Sequence, residues 1–268
     1  MKILFATSEA YPLVKTGGLA DVAGALPFAL ADLGLDMRII MPAYPQALEK
    51  IGTRGKSVSL GDPFASGAME LIETTMPGSE MKLLLLDCPS LFDRPGGPYQ
   101  RADGADWPDN DMRFAALSYA AAALAAPDNP LGWQPDLIHA NDWQTGLIPA
   151  YLEFHGHRDV KSVFTIHNLQ YQGRFSRDIL DRAGIPQSAF SPEGLEFYGD
   201  ACYLKSGIFY ADHITTVSRT YAREIQTHQF GWGMEGILQA RSERLSGIVN
   251  GIDTDVWSPG SDPFIPRN

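Results

Sequence analysis

Short apolar runs alternate with segments of helical periodicity along almost the whole chain, and that alternation leaves few folds open. Ile3-Leu4-Phe5-Ala6-Thr7 is strand-like, and Leu19, Val22, Ala23, Leu26, Ala29, Leu30 and Leu33 then recur at helical spacing up to Gly34. Met37-Arg38-Ile39-Ile40-Met41 reads as a second strand, stopped by Pro42. Lys82-Leu83-Leu84-Leu85-Leu86-Asp87 is uninterrupted, as in a strand covered on both faces. Further strands are expected at Asp136 to Ala140, Ser162 to Ile166, Ile214 to Val217 and Gly247 to Val249. Between them lie an Ala-rich helix reaching about Ala126 with Asp111 as its cap, and a helix through Tyr151 and Phe154 capped by Asn141 or Asp142. Two or three helices fall within 176–211, one of them spanning Tyr198 to Tyr210, and Ser218 caps a helix containing Tyr221 to Gln226.

Strands alternating with helices give an α/β fold, a Rossmann-like doubly wound parallel sheet in one domain over residues 1–250. Two stretches depart from that rhythm. Val58, Leu60, Met69, Leu71 and Ile72 alternate loosely, so residues 56–87 read as an antiparallel excursion that returns to the main sheet. Residues 88–110, rich in Pro, Gly and Asp, read as a long loop, and loops of that length inside a domain are usually functional.

Polar residues gather just after the expected carboxyl ends of the strands: Ser8 and Glu9, then His139, Asn141 and Asp142, then His167 and Asn168, then Asn250, Gly251 and Asp253. In open α/β sheets ligands bind along that edge. Taken singly, Asp142 also suits a helix cap and Asn250-Gly251 a tight turn. Lys15-Thr16-Gly17-Gly18 sits where the first strand's loop becomes a helix. Glycines there let backbone N–H groups approach an anion closely, at a helix end carrying partial positive charge, and the lysine adds a full one. Phosphate is the ligand that suits it best, although neither G-x-x-x-x-G-K-[ST] nor G-x-G-x-x-G is present.

Several function classes are excluded. A net charge of -11 over 268 residues argues against nucleic acid and anionic membranes as partners. The longest apolar stretch, Ala115 to Ala126, is broken by Ser118 and Tyr119 and is too short for a bilayer. Cys88 and Cys202 lack metal-type spacing, no signal peptide is expected at the start, and a reducing cytoplasm fits. The second strand ends Ile40-Met41-Pro42 with no acid for a ribose, which argues against a dehydrogenase. His155 and His157 lack a third ligand, so no metal site is expected, and no G-x-S-x-G elbow supports a serine hydrolase.

Longer motifs narrow the function. Ser8-Glu9-Ala10-Tyr11-Pro12-Leu13-Val14-Lys15-Thr16-Gly17-Gly18-Leu19-Ala20-Asp21-Val22 resembles the opening of bacterial glycogen synthases and plant starch synthases. His139-Ala140-Asn141-Asp142-Trp143-Gln144-Thr145-Gly146-Leu147, Thr165-Ile166-His167-Asn168-Leu169, Thr216-Val217-Ser218, Tyr221-Ala222-Arg223-Glu224-Ile225 and Val249-Asn250-Gly251-Ile252-Asp253 are similar to the same family and occur in its order. The resemblance implies a retaining glycosyltransferase of the GT-B type, with two Rossmann-like domains facing across a cleft and no metal or cofactor. Glucose would pass from ADP-glucose to the non-reducing 4-hydroxyl of an α-1,4-glucan. It further implies that Lys15 lies near the donor phosphates with Thr16, Gly17 and Gly18 beside it, and that His167 contacts the glucose. Asp142 joins Lys15 and His167 as a catalytic candidate, and Asp21, His139, Asn141, Asn168 and Asn250 are expected to bind substrate.

The resemblance covers only the first half of such an enzyme. Residues 251–268 read as the start of an interdomain linker, and nothing here matches the C-terminal domain that holds most of the nucleotide pocket. That domain is therefore an expected partner, and the chain alone should bind ADP-glucose weakly and transfer little glucose. A non-catalytic glucan-binding module and a transferase using another nucleotide sugar are the alternatives.

Overall fold

Nine strands form one sheet, with three more in a small sheet beside it, in a computed structural model that describes residues 1–52, 54–253, 258–260 and 265. The chain opens with β1 (Lys2–Ala6), whose residues from Ile3 on are buried, then α1 (Gly18–Asp32), β2 (Asp36–Pro42) and α2 (Pro45–Ile51). β3 (Ser57–Gly61), β4 (Met69–Thr75) and β5 (Lys82–Asp87) follow. Next come α3 (Pro89–Phe92), α4 (Asn110–Ala123), β6 (Leu137–Asn141), α5 (Ile148–Phe154) and β7 (Lys161–Ile166). The remainder is β8 (Arg174–Phe175), α6 (Ile179–Arg182), β9 (Glu196–Phe197), β10 (Asp200–Cys202), α7 (Tyr203–Tyr210), β11 (His213–Thr216), α8 (Arg219–Glu224), α9 (Glu235–Ala240) and β12 (Leu245–Gly247).

The large sheet runs β12-β11-β7-β6-β1-β2-β5-β4-β3. From β12 to β5 every pairing is parallel, while β4 pairs antiparallel to both β5 and β3, the expected excursion. From β1 the chain builds outward through β2, then returns to lay β6 on β1's other side. The strand order therefore reverses at β1, and a crevice opens there at the carboxyl ends. α4 lies across β1 and β2. Ala115, Ala116, Ala120, Ala121 and Ala122 on it are essentially inaccessible, small side chains that allow close approach to the sheet.

Local readings differ from the sequence expectation in ways that have physical causes. The long 88–110 segment contains α3 and is tied down by Arg94, which donates to both oxygens of Asp109 at 2.9 and 2.8 Å. Asp111 does not cap α4. It lies inside the first turn and accepts from Arg182 at 2.7 Å, a pairing 71 residues apart that sequence spacing does not reveal. Neither Asn141 nor Asp142 caps a helix with its side chain. Ser218 does cap α8, accepting from the Tyr221 amide at 2.9 Å. Within 176–211 the expected Tyr198–Tyr210 helix is only α7, and Tyr198 sits in the turn of the antiparallel sheet β8-β10-β9. The last strand ends at Gly247 rather than Val249, and Gly247 packs so closely on the start of α8 that a Cβ there would stand 2.3 Å from the Ser218 carbonyl oxygen. Ile248, Val249 and Asn250 are exposed, and most of the linker expected after residue 251 lies outside the described residues.

Candidate functional site

The loop leaving β1 is the first wall of the crevice, and a buried acid shapes it. Glu9 is 2 % exposed, and its carboxylate accepts from the Thr16 amide at 2.5 Å and the Thr16 hydroxyl at 2.7 Å. Burial raises the Glu9 pKa, and the Thr16 bonds oppose that rise. Two further ties hold the loop: the Tyr11 amide donates to the Ala20 carbonyl at 3.0 Å, and Lys50 donates to the Pro12 and Leu13 carbonyls at 2.6 and 2.9 Å. Residues 15–18 are left exposed at its tip. Gly17 is the N-cap of α1 with no side-chain cap, and a Cβ on Gly18 would meet nothing within 4 Å. The first turn of α1 thus faces open space with its amide donors available.

Lys15 is not free at that tip. Its ammonium donates to both carboxylate oxygens of Asp21, at 2.6 and 2.8 Å, with side chains 47 % and 55 % exposed. An ion pair this exposed is worth roughly 0–1 kcal/mol, so another anion can displace the aspartate at little cost. Thr16 faces inward to Glu9 and shapes the tip.

The second wall comes from the ends of β6 and β7. Asp142 has φ 58° and ψ −179°, a region that residues other than glycine rarely occupy. The strain turns its buried carboxylate across to β7, where Oδ1 accepts from the His167 amide at 2.7 Å and the Asn168 amide at 3.4 Å. Burial pushes the Asp142 pKa up to about 7, against those two bonds. Asn141 donates its amide to the Ala6 and His139 carbonyls, so its Oδ1 is the acceptor for the His167 imidazole at 3.0 Å. His167 therefore carries its proton on Nε2, leaving Nδ1 as a lone-pair acceptor. Burial lowers its pKa to about 4, so the ring is neutral at pH 7.

His139 lies within β6 rather than beyond it, on the face of β6 that also carries Asn141. Its Nε2 meets the Thr165 hydroxyl at 2.6 Å, which in turn meets Thr215 at 2.6 Å. Burial, with the neighbouring His167 adding to it, pushes the His139 pKa down to about 3. The two walls feel one another, since the Asp142 charge contributes to the raised pKa of Glu9. Among the described residues no hydrogen bond joins Asn250 to either wall. Among the described residues no cluster of His, Cys, Asp and Glu could hold a metal, and His155 instead packs its ring against Tyr119 and Tyr151. No helix among them is long and apolar enough to cross a membrane. Cys88 and Cys202 are buried.

Glu9's role was missed by sequence reasoning, although an acid between two apolar runs is a signal of a buried, committed carboxylate. Tyr99, whose hydroxyl meets Ser8 at 2.7 Å from 91 residues away, leaves no such signal. Together the walls offer a displaceable cation, helix-end amides, a neutral imidazole and a rigid acidic anchor. That set suits an anionic leaving group beside a polyhydroxylated one.

Residues 2–240 match the family described as the starch synthase catalytic domain. The chain is 54% identical over 265 residues to a glycogen synthase of Rhodospirillum rubrum, covering 99% of this chain and 55% of that protein. It is 53% identical over 267 residues to one of Paramagnetospirillum magneticum, covering 99% and 54%. The catalytic domain of Starch Synthase IV from Arabidopsis thaliana, bound to ADP and acarbose, superposes with a TM-score of 0.80 at 30% identity, covering 98% of this chain and 54% of that one. The chain spans about half the length of the curated relatives it matches.

Proposed function

We propose, since this chain belongs to the starch synthase catalytic domain family, that it supplies the N-terminal half of a cytoplasmic retaining glucosyltransferase. Glucose passes from ADP-glucose to the non-reducing 4-hydroxyl of an α-1,4-glucan. Residues 1–250 form one domain of the pair, and the polypeptide from 251 leads to a second that completes the nucleotide pocket. The observation that carries this reading is the exposed Lys15–Asp21 pair at an open helix end, opposite a neutral His167 fixed by Asn141 and Asp142.

The donor's diphosphate exchanges with Asp21 for Lys15 and takes the open amide of Gly18 at the start of α1, beside a Gly17 whose own amide is held by Glu9. As the bond from glucose C1 to the phosphate oxygen breaks, negative charge grows on the diphosphate, and these fixed donors stabilise it. His167 stays uncharged beside the cationic sugar, where a second positive charge would oppose the reaction. Asp142, through its grip on the His167 and Asn168 amides, positions that backbone, and its negative field favours the oxocarbenium-like glucose. The acceptor O4 bonds to C1 on the face the phosphate leaves, and its proton passes to the departing phosphate oxygen, so configuration is retained without a covalent enzyme intermediate.

The test is incorporation of labelled glucose from ADP-glucose into glycogen by three samples: this chain, this chain joined to its second half, and the joined form carrying Lys15→Ala. Turnover is expected only in the joined wild type, with a loss of at least a hundredfold in the variant, on the scale of one electrostatic stabiliser. Turnover by the short chain alone, or a joined Lys15→Ala enzyme as fast as wild type, overturns the reading.

A further inference from the structure

Among the described residues only four outside glycine have positive φ: Ala65, Asp142, Tyr198 and Trp232. Asp142 is in the site. Tyr198 (φ 50°) and Trp232 (φ 52°) are bulky, β-preferring aromatics for which that backbone is unfavourable, and both project into solvent, 74% and 56% exposed. Strain of this kind persists where something fixes it and concentrates at ligand-binding places.

The two positions are neighbours in space. A Cβ on Gly233 (φ 84°) would stand 3.2 Å from the Tyr198 ring and 3.0 Å from Phe197, so the 232–233 turn packs directly on the β9–β10 turn. Gln172 donates its side-chain amide to the Trp232 carbonyl at 3.0 Å. Gln172 belongs to the segment that begins at His167 and Asn168, and Tyr171 beside it is 63% exposed. Phe230, two residues before Trp232, is 42% exposed. Of six exposed aromatics among the described residues, Tyr198 and Trp232 thus meet at this turn, and Tyr171 and Phe230 lie one and two residues along the chain from its contacts, on the segment that leads back to His167 and on the turn itself.

Exposed aromatic rings cost solvation and suit a partner that is apolar on one face and hydrogen-bonding at its edges. Hexose rings have that character: their C–H faces stack on aromatics while hydroxyls reach the Tyr and Trp polar tips and nearby amides. We infer that Tyr171, Tyr198, Phe230 and Trp232 form a stacking platform that binds the acceptor α-1,4-glucan as it runs outward from the His167 wall. The inference rests on the acceptor reading above and adds where the chain is gripped.

The test uses this chain and its variants Trp232→Asn and Tyr198→Asn, with maltoheptaose and glycogen as probes in calorimetry and affinity electrophoresis, and thermal melting alongside. Asparagine tolerates positive φ, so each substitution removes the ring while easing the backbone. Glucan affinity is expected to fall roughly 3- to 10-fold per ring lost, the scale of one aromatic contact, with the melting midpoint of Trp232→Asn unchanged or raised. A purely packing role predicts the reverse, a lower midpoint at unchanged affinity, and that result overturns the platform. If the wild type binds glucan and both variants bind equally well, the platform fails while the acceptor reading stands, as it does where the rest of the polypeptide covers these rings. If the wild type binds neither glucan, the acceptor reading itself falls and the platform with it.

Discussion

Asp142→Asn separates the electrostatic cost of the site from its geometry. The folded chain holds this carboxyl at about 7 against an ordinary 3.8, because burial penalises the charged form more than the His167 and Asn168 amides favour it. Between those values the folded state binds a proton that the unfolded state has released, so stability falls as pH rises through the window. The interval of about three pH units corresponds to roughly 4 kcal/mol, present as a deficit above pH 7 and absent below pH 4. Asparagine keeps an oxygen for the His167 amide and cannot ionise. Urea unfolding of both proteins at pH 4, 5, 6, 7 and 8 should therefore show the variant gaining on the wild type by roughly 3–4 kcal/mol across the series, whatever the offset at pH 4. A difference that stays constant with pH would falsify the assignment of the cost to this carboxylate. The gain in stability should accompany lost turnover in the joined enzyme, the pattern of a charge kept for function.

Other perturbations read the remaining supports. Glu9→Ala removes the acceptor for both Thr16 donors and should cost about 1–3 kcal/mol in denaturant melts; amide exchange at Thr16 to Leu19 should accelerate selectively, and uniform exchange would contradict the loop-tying role. His139→Gln removes a ring held at about 3, below its unfolded value near 6.5. The wild type loses that stability as pH falls below 6.5, so the variant's acid limb should be shallower by about 1.4 kcal/mol per pH unit than the wild type's, and an unchanged slope would contradict the assignment. Gly247→Ala would drive a methyl into the Ser218 carbonyl, 2.3 Å away; a loss of about 2 kcal/mol or more is expected, and an unchanged melting curve would show that the β12 edge yields freely.

The sheet was legible because its signal is local: a strand such as Leu83 to Leu86 declares its burial on both faces in four consecutive residues. The polar edge of the sheet was legible for the same reason, since Asn141, Asp142, His167 and Asn168 fall at strand ends whatever they touch. What each side chain grips was not. Asp142 reads as a cap from its neighbours, yet its unusual φ sends the carboxylate to amides 25 and 26 residues on. Lys15 reads as a free cation, and Asp21, six residues later across a turn, occupies it. α2 escaped notice because seven residues from Pro45 give barely two turns, too few for a periodic pattern to emerge. The β8-β10-β9 sheet is built from strands of two or three residues, below the length at which alternation carries information.

Placing β1 at the reversal of strand order also sets a timetable for synthesis. β2 pairs with β1 once residue 42 has emerged, but the other edge of β1 waits for β6, which begins at residue 137. At ribosomal speeds that interval of about 95 residues lasts on the order of ten seconds. Throughout it the strand at the centre of the site exposes an unpaired, apolar edge, the kind of surface through which nascent chains associate wrongly. The position that lets β1 gather both walls of the crevice thus makes it the central strand that waits longest between its first neighbour and its second.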